Sequence, residues 1–113
     1  MNKYSDKSDY EINKAVAECK YGIGCTGKTQ GGDVIVFTDS FTAVFDPCNN
    51  PTDAMPIVIE NRISIESRFN GHYDEWYASL QTNKILIDAT GTNYYRIAME
   101  AFLMMKDADN EKI

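Results

Sequence analysis

This sequence has one histidine, three cysteines without a Cys-x-x-Cys pair, three prolines and no apolar run of the roughly 20 residues that a membrane-spanning helix needs. Each shortage removes a class of function. Cys19, Cys25 and Cys48 are an odd set with no metal-finger spacing, so neither a disulfide framework nor a thiolate zinc site is indicated. His72 has no local signature that places a nucleophile beside it, and covalent catalysis lacks a constellation. Met1-Asn2-Lys3-Tyr4-Ser5-Asp6 carries no secretory apolar stretch, so a cytoplasmic location away from membranes is expected. Basic residues are also scarce. Eleven Lys and Arg against seventeen Asp and Glu give a formal charge of -6, which argues against the wide phosphate-neutralising surface that duplex nucleic acid requires.

What is present is a globular composition, 43% apolar and 12% aromatic over 113 residues, enough for one domain spanning residues 1–113. Its polar ends, residues 1–6 and 107–113, are expected to fray. Ser8 followed by Glu11 fits a capping box, and Ile12, Ala15, Val16 and Cys19 recur at helical spacing up to Gly22, predicting a helix over 9–21. Glycines at 22, 24, 27, 31 and 32, without apolar periodicity, predict a loop. Val34 to Phe37 and Phe41 to Phe45, joined at Asp39-Ser40, read as two antiparallel strands.

Asn50-Pro51-Thr52-Asp53 has the form of an N-cap, a proline at the first helical position and a carboxylate favourable to the dipole. Pro56 is expected to split this short central helix, or to delay it to about Met55 through Asn61. Ile63 and Ile65 alternate with polar residues, and Asn70-Gly71 signals a hairpin into Tyr73 through Ser79. Residues 84–88 add a strand, and an apolar stripe from Tyr94 to Lys106 is too broad for a surface helix, so that helix is either deeply buried or self-associating. The fold class is α+β: one antiparallel sheet of four or five strands packed with an N-terminal and a hydrophobic C-terminal helix.

Gly22-Ile23-Gly24-Cys25-Thr26-Gly27-Lys28-Thr29 satisfies the phosphate-loop pattern, but a helix precedes it and a strand follows, the reverse of the required context. Asp74 and Glu75, as strand neighbours, point to opposite faces and do not form a carboxylate pair. No enzyme is expected, and no cofactor or metal. Tyr73, Trp76 and Tyr77, with Arg62 and Arg68 upstream, suit stacking on a planar ligand and gripping a phosphate.

Asp46-Pro47-Cys48-Asn49-Asn50-Pro51-Thr52-Asp53-Ala54-Met55-Pro56-Ile57, with Glu60-Asn61 after it, resembles the bacteriophage NinX-like family. Ser8-Asp9-Tyr10-Glu11-Ile12-Asn13 is similar to that family's opening, and Ala98-Met99 with Phe102-Leu103-Met104-Met105 to its closing helix. The resemblance covers most of the chain and implies a phage or prophage accessory protein in an infected or lysogenic bacterium. It brings no catalytic residue with it. Phage accessory biology suggests a non-enzymatic binder that sequesters a small polar or nucleotide-derived ligand, such as a host immune signal. In that reading Asn49, Asn50 and Asp53 supply hydrogen bonds, Trp76 or Tyr77 stacks a base, and Arg62 or Arg68 holds phosphate. A homo-oligomer with shared pockets is expected from the apolar last helix. The alternative is an acidic interaction module that inhibits or redirects a host protein.

Overall fold

Ser8 opens the first helix as its sequence dictates. Its hydroxyl accepts the Glu11 N–H at 3.1 Å while the Glu11 carboxylate accepts the Ser8 N–H at 3.1 Å, and α1 runs Asp9–Tyr21. Gly22, at φ 104°, ends it with its N–H on the Glu18 carbonyl, a backbone conformation that a residue with a side chain rarely adopts. These elements belong to a computed structural model that describes residues 2–83 and 85–110.

The glycine-rich stretch is not wholly a loop. β1 (Thr26–Lys28) forms inside it and pairs antiparallel with β2 (Val34–Phe37), which pairs with β3 (Thr42–Phe45). Periodicity was silent there because β1 is held by main-chain hydrogen bonds, with no fully buried side chain of its own. Residues 46–50 turn into α2 (Pro51–Glu60), which is followed by β4 (Ser64–Phe69), β5 (Asp74–Gln81), β6 (Leu86–Gly91) and α3 (Tyr94–Asn110).

Among the described residues the strands therefore number six, in two three-stranded antiparallel sheets of order β1-β2-β3 and β4-β5-β6, where one sheet of four or five was expected. The reason is that each sheet buries its apolar face on a different helix. β1 and β2 pack on α1, β5 and β6 pack on α3, and α1 and α3 pack on each other between them, with α2 also against α3. One connected core results, from Ile12 and Val16 through Val34 and Val36 to Ala78, Ile87 and residues 97–103. The last helix is buried on this account, and its breadth of apolar residues is used internally.

Three local readings are corrected. α2 is continuous from Pro51 despite Pro56, because the carbonyl that Pro56 leaves without a donor belongs to Thr52, which is exposed in the first turn and open to water. In the second hairpin the central residues are Gly71-His72, with the Asn70 N–H on the Tyr73 carbonyl, the His72 and Tyr73 N–H groups on Asn70 Oδ1, and Gly71 at φ 98°. The N-terminal stretch is tied down: Asn2 donates to Glu100 at 2.6 Å and Tyr4 to Asp107 at 2.5 Å, because α3 continues past Lys106 and brings carboxylates beneath them. Met1, Lys84 and residues 111–113, parts of the expected frayed ends and of the strand expected over 84–88, lie outside the described residues.

Replacing the exposed Pro56 with alanine restores the missing N–H to Thr52, and is expected to stabilise the protein by on the order of 1 kcal/mol, the helix gain being partly offset by a freer unfolded chain. Urea denaturation measures this directly. An unchanged or lower midpoint would contradict the account of α2.

Candidate functional site

Residues 46–56, the most distinctive segment of the sequence, are held from inside. Asn13 is buried on α1, donates to Asp46 Oδ1 at 2.7 Å, and accepts the Cys48 N–H at 3.0 Å. The Asn49 and Asn50 amides close on the Asp46 carbonyl at 3.1 and 2.8 Å, and the Asp46 N–H reaches Asp53 Oδ2 at 2.9 Å. Asn50 caps α2 through the Thr52 N–H, and Asn49 donates to Asp46 and to Asp9 while accepting from Asn93. Asn49, Asn50 and Asp53 are thus committed to shaping the turn and starting a helix. Burial of Cys48 pushes its thiol well above the ordinary range, so it sits as a neutral apolar group.

Beside this turn lies a polar hub that the sequence reading did not anticipate. Arg96, on the first turn of α3, donates from Nε to Glu100 at 2.7 Å and from Nη1 to Asp9 at 2.7 Å; its Nη2 reaches the Lys7 carbonyl at 2.5 Å and that of Tyr4 at 3.1 Å. Its side chain is 16% exposed, that of Glu100 only 5% and that of Asp9 43%. For Asp9, burial pushes the carboxyl upward, but the hydrogen bonds from Arg96 and Asn49 and the guanidinium charge outweigh it, and the group lies below the usual carboxylate range. Arg96 is raised: burial opposes its charge, and Glu100 and Asp9 more than compensate. The available signal was the Arg96–Glu100 spacing of four inside an otherwise apolar stripe.

A concave feature lies elsewhere. Ser67 and Trp76 face one another in register on β4 and β5, and with Asp74, Glu75 and Thr92 they line a groove of about 300 Å³. Trp76 meets Tyr94 edge-on at 4.9 Å, so the start of α3 forms its inner wall. Phe69, on the same strand face as Ser67, is 68% exposed. The lining includes the Asp74 carboxylate and no basic residue, while Glu75, paired in register with Arg68, turns its carboxylate to the face of Tyr77. Such a surface suits a cationic or hydrogen-bond-donating group held against an aromatic wall.

Tyr77 points to the opposite face of that sheet. Its ring lies under the Arg68 guanidinium at 3.5 Å, and its hydroxyl donates to Asp88 at 3.1 Å, while Arg68 pairs with Glu66 at 3.1 Å. Burial and the Asp88 carboxylate push the Tyr77 hydroxyl above its ordinary range. Arg62 stands exposed in the turn after α2, at φ 55°. The seven sequence-predicted residues therefore fall into separate places: Asn49, Asn50 and Asp53 in the turn, Trp76 in the groove, Tyr77 with Arg68 behind the sheet, and Arg62 in its own turn.

His72 is exposed on the hairpin turn, as expected. Residues 22–29 leave α1 and enter β1, so no helix start gathers their amides. Among the described residues, no group of three or more His, Cys, Asp or Glu is placed to hold a metal ion, and no helix is long and apolar enough to cross a membrane.

No curated protein matches the chain. The profile of the family described as Bacteriophage P22, NinX matches residues 3–106. That span contains the capping box of α1, the Asn13-anchored turn, the groove and the buried core of α3. The chain belongs to the bacteriophage P22 NinX family.

Proposed function

We propose that this phage accessory protein is a non-enzymatic interaction module that works in the cytoplasm of the infected or lysogenic bacterium, seating a basic segment of a host protein in the groove beside Trp76 and so inhibiting or redirecting that protein. The observation that supports this reading is the groove lining: Asp74 next to an indole, with no basic residue, in a chain of charge -6. Opposite charge steers encounter and fixes register, and the aromatic wall gives a lysine or arginine stem an apolar surface. The shallow concavity also supports capture of a small polar ligand, provided that ligand is neutral or cationic. A nucleotide-derived immune signal is the version it favours least, since Arg62 and Arg68, the intended phosphate grips, lie outside the groove.

Trp76 is the single tryptophan, so its fluorescence reports on the groove alone. Lysine- and arginine-rich peptides are expected to change that fluorescence saturably, with affinity that falls as salt rises and falls about threefold or more for Asp74→Asn, as for one lost charge contact. In parallel, the protein is incubated with a nucleotide-signal panel and denatured, and released compounds are identified by mass spectrometry. A silent response to basic peptides together with intact release of a nucleotide replaces the host-protein reading with sequestration. Conversion to new products would make the protein an enzyme.

A further inference from the structure

Of the four edge strands among the described residues, three carry charge: Lys28 in β1, Glu66 and Arg68 in β4, Asp88 in β6. Charged side chains on an edge discourage pairing with a further strand. β3 carries none, in a strongly acidic chain. It has no proline either, and its register with β2 runs unbroken from Val34↔Phe45 to Phe37↔Thr42. The Thr38 N–H bonds to the Phe41 carbonyl and the Phe37 N–H to the Cys25 carbonyl. Strand alternation then turns the main-chain groups of Ala43 and Phe45 toward β2 and those of Thr42 and Val44 toward the open edge. Thr42, Ala43 and Val44 are all exposed.

We propose that this edge pairs antiparallel with the same edge of a second copy, joining the two three-stranded sheets across a twofold axis through Ala43. In that register Thr42 lies opposite Val44 of the copy on both sides of the axis. Each such pair exchanges two N–H···O bonds between groups that point away from β2. Phe41, 46% exposed, comes opposite Phe45 of the copy, on the face where Tyr21 already meets both rings edge-on at 6.0 and 5.6 Å. Cross-strand aromatic pairs of this kind are among the stabilising ones. On the outer face Val44 adds to an apolar strip with Ile35 and Phe37. The occupant is a second copy because the strand complements itself here: small opposite small, aromatic opposite aromatic, with no charge inside the strand. α3 takes no part, since residues 97–103 are buried and Met104 and Met105 pack partly buried against the core.

Sedimentation equilibrium of the full chain over a wide concentration series tests this. The expected result is a reversible rise to twice the single-chain mass, with slowed amide exchange at Thr42 and Val44 at high concentration. Val44→Pro removes an N–H that has no bond to β2, and Val44→Lys sets like charges across the axis; both are expected to stay monomeric at concentrations where the wild type is dimeric, with unchanged circular dichroism. A wild type that remains monomeric throughout overturns the proposal. So does a dimer that survives in either folded variant.

Discussion

Arg96→Leu is expected to cost about 3 kcal/mol or more, lowering the melting temperature by roughly 10 °C or more, the largest effect of any single polar substitution considered for this protein. The guanidinium serves two carboxylates and the carbonyls of Lys7 and Tyr4 at once. Its removal leaves Glu100, 5% exposed, with Asn2 as its remaining hydrogen-bond donor in the structure. Asp9 is 43% exposed, so water takes over most of its share and Glu100 carries the loss.

Two companion measurements separate charge from packing. Arg96→Lys keeps the charge but loses the planar fork and is expected to fall between the wild type and leucine. Adding Glu100→Leu to Arg96→Leu removes the stranded charge and is expected to recover part of the stability. The pH profile has a definite sign. Because the folded-state value of Asp9 is depressed, its contribution is present above the unfolded value near pH 4 and is lost as the pH falls through the lower folded value. The gap between wild type and Arg96→Leu should therefore narrow in acid. Urea unfolding at neutral and acidic pH decides the matter: a loss below about 1 kcal/mol at neutral pH, or a gap that widens in acid, refutes the hub.

The second large effect concerns Asn13. Alanine there leaves the buried Cys48 N–H without its acceptor and deletes a bond to the Asp46 carboxylate, a combined loss of about 2–4 kcal/mol. Asn50→Ala removes only an exposed cap and should cost about 1 kcal/mol. This order follows from a turn held by the core and not by its own capping residues. Asn13→Asp sharpens the case by setting a second carboxylate at about the present 2.7 Å contact with Asp46, so its loss should be greatest at neutral pH and shrink in acid. Amide exchange at Cys48, accelerated in Asn13→Ala and not in Asn50→Ala, gives a residue-level readout. Equal costs for Asn13→Ala and Asn50→Ala would mean that residues 46–50 stand on local turn chemistry alone.

Signals that act within about four residues were legible from the chain itself. The Ser8–Glu11 box, the Asn50-Pro51 helix start, the paired strands β2 and β3, the hairpin around Gly71 and the apolar stripe of α3 all appear where residue order places them. The glycine-rich β1 was not legible, because it is specified by main-chain pairing with Val34 to Val36 and not by its side chains. The buried face of α1 was partly misplaced. Cys19 is exposed while Asn13 is buried, since the N-terminal half of the helix covers residues 46–48 and needs a donor and an acceptor there.

The candidate ligand residues illustrate the same boundary. Composition and order suggested that Trp76, Tyr77, Arg68 and the asparagines of the turn converge, but pleating sends Trp76 and Tyr77 to opposite faces, and the asparagines are occupied by Asp9, Asp46 and the start of α2. What the sequence determined by itself is the set of helices and most of the strands, the acidic character, and membership of the NinX family, because caps, turns and periodicity are local and residue order is enough to read them. What only the tertiary structure decided is the division into two sheets, the Asn13 and Arg96 networks, and the acidic groove beside Trp76. Their partners lie far apart in the chain, Asn13 with Asp46 and Arg96 with Asp9, and nothing in a local pattern says which distant polar group a buried side chain will meet.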